Sequence, residues 1–156
     1  MNASDEAFLW EMLAEAAYEP AGHALREDPE LARYVTGWGR DGDLGVLAET
    51  AGAPVGAAWL RLWGPRDRGY GYVDEDTPEL TIGVRPGHRG QGVGTLLLGA
   101  ILDDAVGVYD AVSLSVRPDN RAMRLYERFG FRPVPSSDTT DRSQGTSITM
   151  IRGSAA

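Results

Sequence analysis

The 156-residue sequence predicts an α/β fold (in the α+β sense), with a mixed central β-sheet and helices on both of its faces. Two observations lead to this prediction. The front of the chain has the pattern of two helices followed by a β-hairpin, which supplies antiparallel strands. The middle of the chain alternates strand, helix, strand, helix and strand before a last strand, which supplies parallel ones. Because no repeat or linker interrupts the chain, we expect one domain over residues 1–156.

The elements of this fold follow from hydrophobic periodicity and from capping residues. In chain order, the sequence predicts helices at 5–18 and about 29–35, strands at 44–49, 55–63 and 80–84, a helix at 92–106, a strand at 111–116, a helix at 120–129, and strands at 131–134 and 146–152.

The two front helices are recognised by their ends. Ser4 or Asp5 is expected to cap the first, and Pro20-Ala21-Gly22 ends it. Asp28 precedes a proline at the first position of the second. The hairpin that follows turns at Thr50-Ala51-Gly52-Ala53-Pro54.

The later helices are recognised by the glycines that end them, and a later strand is recognised by the alternation of apolar with small or polar residues. Gly107 is expected to end the third helix and Gly130 the fourth. In the strand at 111–116, apolar residues alternate with Ala111, Ser113 and Ser115, which predicts a half-buried strand. Residues 135–144 are expected to be a polar loop.

Composition excludes several classes of function. The absence of cysteine excludes disulfides and thiolate chemistry, and two histidines (His23 and His88) argue against a structural zinc site, so no metal is expected. The net charge of −8 argues against general nucleic-acid binding. No apolar run could span a membrane, and the start of the chain lacks a signal-peptide pattern, so a cytoplasmic protein is expected. All 15 basic residues are arginine, so the protein has no ε-amine of its own to acylate.

A glycine-rich turn between the strand at 80–84 and the third helix is the strongest signal in the sequence. Gly90, Gly92 and Gly94 alternate with Gln91 and Val93 just before a run whose apolar face we assign to Val93, Leu96, Leu97, Ala100 and Ile101. Glycine tolerates positive φ and has no Cβ, so such a turn can direct successive backbone N–H groups inward. At a helix N-terminus this arrangement predicts a phosphate cradle, and a glycine-rich turn without a ligand is the alternative.

The spacing of the glycines and the neighbouring residues limit which known phosphate-binding motif the turn can be. A dinucleotide fingerprint fails because Thr95 occupies its last position, and a nucleotide P-loop fails because the chain has no lysine. Arg89-Gly90-Gln91-Gly92-Val93-Gly94 instead resembles the R/Q-x-x-G-x-G/A pyrophosphate loop of the GCN5-related N-acetyltransferases (GNAT). In that family the loop holds the pyrophosphate of acetyl-coenzyme A.

A second motif supports the same resemblance. Residues 114–131 are similar to the family block V-x-x-x-N-x-A-x-x-L-Y-E-x-x-G-F, so the two motifs together cover residues 79–134 closely. Asn120 and Tyr126 are six positions apart, whereas seven separate them in many relatives. The alternative for Tyr126 is a core tyrosine with its hydroxyl at the rim, and the alternative for Asn120 is a plain N-cap.

The resemblance implies an acetyl-CoA-dependent N-acetyltransferase that acts on a primary amine of a small molecule, peptide or protein by direct attack on the thioester. A non-catalytic acyl-CoA-binding sensor on the same fold is the competing hypothesis. Relatives are often homodimers. No membrane or nucleic-acid partner is expected.

The resemblance also implies which residues would form the site. Tyr126 would return a proton to the sulfur. Glu79 is the candidate base by its position at the start of the strand, with base action by ordered water or a solvated residue at the strand entrance as the alternatives. The expected coenzyme-binding residues are Ile82, Gly83, Val84, Arg89, Gly90, Gln91, Gly92, Val93, Gly94, Thr95, Asn120 and Tyr126.

The acceptor side is assigned to the helices and hairpin of residues 1–78, including the Gly64–Tyr72 segment, and to the loop at 136–144. Asp74-Glu75-Asp76 could attract a cationic acceptor, and a solvated acidic turn is the alternative. Arg85 and His88 flank the glycine turn on its basic side, and His88 is expected to be a loop residue rather than a base.

Overall fold

The computed structural model describes residues 1–17, 25–135, 137, 139–140 and 146–153, and it confirms an α/β fold with a mixed sheet. The chain forms two compact units, one of Met1–Arg61 with Thr81–Asp104 and one of Leu62–Leu80 with Ala105–Ala156. The helices are α1 (Glu6–Ala16), α2 (Pro29–Ala32), α3 (Val93–Ala105) and α4 (Ala122–Arg128), and the strands are β1 (Leu44–Thr50), β2 (Ala53–Arg61), β3 (Glu79–Val84), β4 (Ala111–Val116), β5 (Arg132–Pro133), β6 (Thr139–Thr140) and β7 (Thr146–Gly153).

The first unit contains the hairpin β1–β2, with β3 as the next strand beside β2. Ala51 and Gly52 form the hairpin turn with φ of +52° and +80°, the signs that a type I′ turn requires. The side chains that build this core come from α1, β2 and α3; they include Leu9, Met12, Leu13, Trp59, Leu60, Leu97, Leu98 and Ile101.

A buried arginine fastens the segment after α2 to strand β2. Arg61 is 1% exposed, and its Nη2 lies 2.8 Å from Oδ2 of Asp43. Its Nη1 donates to the backbone oxygens of Thr36 (2.7 Å) and Arg33 (3.0 Å). The guanidinium also lies 5.6 Å from the ring centroid of Trp38. This charge can be buried because nearly all of its donors have acceptors.

The second unit begins where Glu79 pairs in parallel with Ser113 of β4. Strand β4 pairs antiparallel with β7, and β7 pairs antiparallel with β5 and with β6. The core of this unit is formed mainly by Val112, Leu114, Val116, Tyr126, Phe131 and Met150.

Several expectations about the front and middle helices need correction. Helix α1 ends at Ala16, and the predicted stop at 20–22 lies outside the described residues. Asp5 stands at the N-cap position of α1 as expected but makes no side-chain cap there. The side-chain cap belongs to the short 3-10 turn before α1, where Asn2 Oδ1 accepts from the Ser4 amide. The apolar face of α3 was predicted one position too early: Leu96 is 74% exposed, and Leu97, Leu98, Ile101 and Leu102 are buried.

Two expectations about the later strands were also wrong. Ser113 is fully buried, because its hydroxyl donates to the backbone oxygen of Gly71 over 2.7 Å and so satisfies its polar atom. The 135–144 loop contains β6, whose two residues are too short to give a periodic signal. Within the described residues, no helix is both long and apolar enough to cross a membrane.

Candidate functional site

The glycine turn of the first unit has the backbone that the sequence predicts at two of its three glycines. Gly90 and Gly92 have φ of +75° and +84°. Apart from each glycine and its two chain neighbours, no atom of the described residues lies within 4 Å of the point where a Cβ would stand on either glycine. Gly94 is the second residue of α3 and therefore has a helical backbone. The turn is thus opened by two left-handed glycines and is solvent-exposed on the side where their side chains are missing.

Helix α3 begins directly after this turn. The backbone oxygen of Gly92 accepts from the Leu96 amide over 3.1 Å, which makes Gly92 the first residue of the helical hydrogen-bond ladder. The amides of Val93, Gly94 and Thr95 then have no acceptor within the helix, as at every helix N-terminus. These amides and the positive end of the helix dipole can bind an anion.

Strand β3 leads into the turn along helix α1. A Cβ added to Gly83 would lie 2.5 Å from the backbone oxygen of Met12, so only glycine permits this approach of strand to helix. Ile82 and Val84 are half-buried on either side of it. The Arg85 amide donates to the Val55 oxygen, which fixes the end of β3 on β2.

Two arginines that precede the turn are paired with carboxylates of α1. Arg85 contacts Glu11 through Nη2 and Oε1 at 2.9 Å, and these hydrogen bonds lower the pKa of Glu11 and raise the pKa of Arg85. Arg89 donates from Nη2 to Oε2 of Glu15 over 2.6 Å. His88 is half-buried in the 3-10 turn Pro86–His88, which fits the expected loop residue. Gln91 reaches back to the Gly87 oxygen at 3.4 Å.

Glu79 belongs to the second unit and has a well-defined environment. Its side chain is 3% exposed, so the alternative of a solvated residue at the strand entrance is wrong. Its Oε1 accepts from Trp63 Nε1 and from the Gly71 amide, each over 3.0 Å. A Cβ on Gly69 would collide with the same Oε1 and with the Trp63 indole. The Gly64–Tyr72 segment, which shows no pattern in the sequence, is therefore folded around this carboxylate.

Tyr126 and Asn120 lie in the second unit at helix α4. Tyr126 is 7% exposed, and its ring meets Phe131 edge-on with centroids 5.9 Å apart. Asn120 Oδ1 accepts from the amide of Ala122, the first residue of α4, over 2.8 Å. Asn120 thus makes a capping interaction from one position before the N-cap, which is Arg121 and not Asn120 as expected. The capping interaction does not exclude a second role, because the side-chain amide retains its nitrogen donors.

The candidate residues are thus divided between the units. The glycine turn, Ile82–Val84 and Arg89 belong to the first unit, and Glu79, Asn120 and Tyr126 belong to the second. Sequence reasoning missed Glu11 and Glu15, although their spacing of four matches that of Arg85 and Arg89.

Among the described residues, no three histidine, aspartate or glutamate side chains are grouped to hold a metal ion. The Asp74–Asp76 turn is exposed and closed by a hydrogen bond of 2.9 Å between its own residues.

Solved structures define the class of fold. The chain is similar to ribosomal-protein-alanine N-acetyltransferase from Brucella melitensis, with a TM-score of 0.75 and 18% identity over 98% of this chain and 96% of that one. It is also similar to yncA from Salmonella typhimurium, a putative acetyltransferase solved with its cofactor acetyl-CoA, with a TM-score of 0.69 and 22% identity over 97% and 88% of the two chains. The fold is that of the N-acetyltransferases.

The sequence comparisons then identify the family. Residues 7–131 match the acetyltransferase (GNAT) family. The chain therefore belongs to the GNAT acetyltransferase family, as its two motifs indicated. A stretch of 55 residues is 47% identical to the N-alpha-acetyltransferase RimI of Mycobacterium tuberculosis and covers 35% of this chain and 34% of that protein. The matched stretches cover only 15% to 40% of the lengths of the curated relatives.

Proposed function

We propose that this protein transfers an acetyl group from acetyl-coenzyme A to a primary amine by direct attack of the amine on the thioester. The observation that carries the proposal is the turn at Gly90 and Gly92, with two left-handed glycines that open onto the N-terminus of a 13-residue helix. Such a turn fits a diphosphate, because a Cβ at either glycine would stand where an anion must approach the amides. Membership of the GNAT family supports the same assignment.

The first unit would bind the coenzyme. The amides at Val93, Gly94 and Thr95 and the backbone around Gly90–Gly92 would hold the diphosphate, with Arg89 supplying a charge-assisted hydrogen bond. The backbone of Ile82–Val84 would receive the pantetheine arm. A backbone N–H in this strand would polarise the thioester carbonyl, and a donor of this kind contributes roughly 3–4 kcal/mol to catalysis. Gln91 holds the turn in shape through Gly87.

The second unit would supply the proton donor and a hydrogen bond to the pantetheine arm of the coenzyme. Acetyl-coenzyme A supplies the activated acetyl group, and its sulfur needs a proton as it leaves. We assign that proton to the Tyr126 hydroxyl, since general acid help is typically worth about 10²–10⁴ in rate. Asn120 would donate from its side-chain nitrogen to the pantetheine arm while its oxygen caps α4.

The acceptor amine must lose a proton before it attacks. With a pKa of about 10.4, only about one lysine-like amine in 10³ is neutral at pH 7, so a base accelerates the reaction. Glu79 is our candidate for this base, and water ordered by the backbone is the second candidate. The acidic turn at Asp74–Asp76 would attract a cationic acceptor to the protein.

The acceptor itself can be searched among the amines that relatives use. Solved structures of similar fold are named for ribosomal-protein alanine and for spermidine, and a curated relative is named for phosphinothricin. The amines to be assayed should therefore include peptides that begin with alanine, polyamines and small amino acids. A thiol-reactive chromophore would report the release of free coenzyme A from acetyl-coenzyme A with each amine.

The expected result is thiol release that depends on one class of amine and exceeds hydrolysis. Calorimetry with coenzyme A, performed in parallel, measures binding without turnover. Tight binding with no thiol release for any amine would favour the sensor hypothesis. Failure to bind coenzyme A would refute the assignment of the glycine turn and the proposed function with it.

A further inference from the structure

Two ion pairs of the same spacing join helix α1 to the segment just before the glycine turn. Glu11 pairs with Arg85, and Glu15 pairs with Arg89, so residues four apart on the helix meet residues four apart in that segment. The two pairs differ in how many nitrogens of each guanidinium donate hydrogen bonds. This difference separates a purely structural pair from one that can still bind a ligand.

Arg85 is fully engaged. Its Nε and Nη2 contact the two carboxylate oxygens of Glu11, and its Nη1 donates to the Pro54 oxygen over 2.9 Å. The guanidinium also lies 5.1 Å from the ring centroid of Phe8. All three nitrogens are therefore occupied, and Arg85 serves to hold α1, β2 and the end of β3 together.

Arg89 is engaged along one edge only. Its Nε donates to the Val84 oxygen at 3.2 Å, and its Nη2 donates to Glu15 at 2.6 Å. Its Nη1 makes no hydrogen bond with any residue that the structure describes, and 49% of the side chain is exposed. With respect to the described part of the chain, the guanidinium is thus held in place with unused donors on Nη1, and Arg89 is next to Gly90 in the sequence.

We propose that Glu15 is a positioning residue for coenzyme binding, which acts by holding the Arg89 guanidinium ready for the diphosphate. This inference rests on the proposed function. A free arginine side chain loses rotational freedom when it binds a phosphate, and Glu15 has already imposed that order. Because Glu15 lies at the end of α1, the same contact ties the acceptor-side helix to the coenzyme loop.

An opposing effect is the repulsion between the Glu15 carboxylate and the diphosphate. Both side chains of the pair reach solvent, with 27% of Glu15 and 49% of Arg89 exposed, so water and salt screen this repulsion. We therefore expect the ordering effect to dominate.

The experiment compares Glu15→Ala with Glu6→Ala by calorimetry of coenzyme A binding to the full chain. Both substitutions remove one carboxylate from α1, but Glu6 lies nine residues earlier, roughly 13 Å along the helix axis. Glu15→Ala should raise the Kd about fivefold, in the range expected for one immobilised long side chain. Glu15→Gln, which keeps an oxygen for Arg89, should recover part of this loss, and Glu6→Ala should leave the Kd unchanged.

Two further readouts distinguish positioning from a structural role. In an Arg89→Ala background, Glu15→Ala should have no further effect on the Kd, because its partner is gone. With S-acetylpantetheine, a donor that lacks the diphosphate, Glu15→Ala and the wild type should give equal rates.

A tighter Kd in Glu15→Ala would overturn the inference, since Glu15 would then compete with the diphosphate. The inference would also be overturned if Glu15→Ala raised the Kd for coenzyme A by the same factor in the Arg89→Ala background. The same holds if Glu15→Ala lowered the rate with S-acetylpantetheine as much as the rate with acetyl-coenzyme A. If the wild type itself does not bind coenzyme A, the proposed function has failed. If the wild type binds and Glu15→Ala binds equally well, only the role of Glu15 has failed.

Discussion

The indole Nε1 of Trp63 donates a hydrogen bond to Oε1 of Glu79 over 3.0 Å in a region where both side chains are buried. The Gly71 amide donates to the same oxygen. These two donors fix one carboxylate oxygen of Glu79 between the Trp63 indole and the backbone of Gly71. Glu79 therefore has a structural role that is visible in the structure, and its proposed role as a base must be tested separately from it.

Glu79→Gln separates these two roles. Glutamine keeps an oxygen that accepts from Trp63 and Gly71, so the melting temperature should stay close to that of the wild type, whereas Glu79→Ala should lower it. If Glu79 is the base, kcat/KM at pH 7 should fall about 10²-fold or more. The difference in kcat/KM between Glu79→Gln and the wild type should become smaller as the pH approaches the pKa of the amine. An unchanged kcat/KM in Glu79→Gln would assign the proton to ordered water instead.

Gly92→Ala tests the diphosphate site. Alanine at a φ of +84° is strained, so the variant should lose roughly 1–2 kcal/mol of stability. The new methyl group would also stand in the open space of the turn, so coenzyme A affinity should fall by more than tenfold. Gly87→Ala is the matched control, because Gly87 has open space around it and no left-handed backbone. Equal affinities in the two variants, measured by calorimetry, would contradict the site.

Tyr126→Phe tests the proposed acid. Phenylalanine keeps the edge-on contact with Phe131, so the packing of α4 should be retained. We expect kcat to fall about 10²-fold or more while the Kd for acetyl-coenzyme A changes little. Steady-state kinetics and calorimetry on the same preparation give both numbers. A kcat equal to that of the wild type would make Tyr126 a packing residue.

The Arg85–Glu11 pair predicts a small dependence of stability on pH. The hydrogen bonds from Arg85 lower the pKa of Glu11 below its ordinary value of 4.5 in the folded protein. Its contribution is therefore present above about pH 4.5 and is lost as the pH falls through the lowered pKa. Urea midpoints of the wild type should exceed those of Glu11→Gln at pH 7, and the difference should disappear in acid. A difference that grows in acid would contradict this assignment.

The elements that carry strong local signals were predictable from the sequence. Pro29 is at the first position of α2 as predicted, and Asp28 before it caps the helix by accepting from the Glu30 amide. Gly107 and Gly130 adopt the positive φ expected after α3 and α4. These features depend on a few neighbouring residues. Asp5 is at the N-cap position of α1 as expected, but the capping pair at Asn2 and Asp5 was missed, because it belongs to a 3-10 turn that does not share the helical period.

The missed features depend on contacts between distant parts of the chain. The burial of Glu79 and of Ser113 is possible only because the 63–71 segment supplies donors and an acceptor, and no local pattern reveals those partners. The face of α3 was misjudged because Leu96 is as apolar as its buried neighbours, and only packing selects among them. In the same way, the glycine turn was visible in the sequence, whereas the carboxylates of α1 that hold its arginines were not.

The bonding of Arg61 has a consequence for how this protein can be altered. Its planar guanidinium, on a strand, donates at once to two main-chain oxygens and to an aspartate, which lie 18 to 28 residues earlier in the chain. A lysine ammonium has only three donors, arranged around a point, and could not reach all three partners. The absence of lysine elsewhere in the chain can be ascribed to composition, but at this position stereochemistry demands arginine. Surface-charge engineering that exchanges arginines for lysines should therefore spare this position.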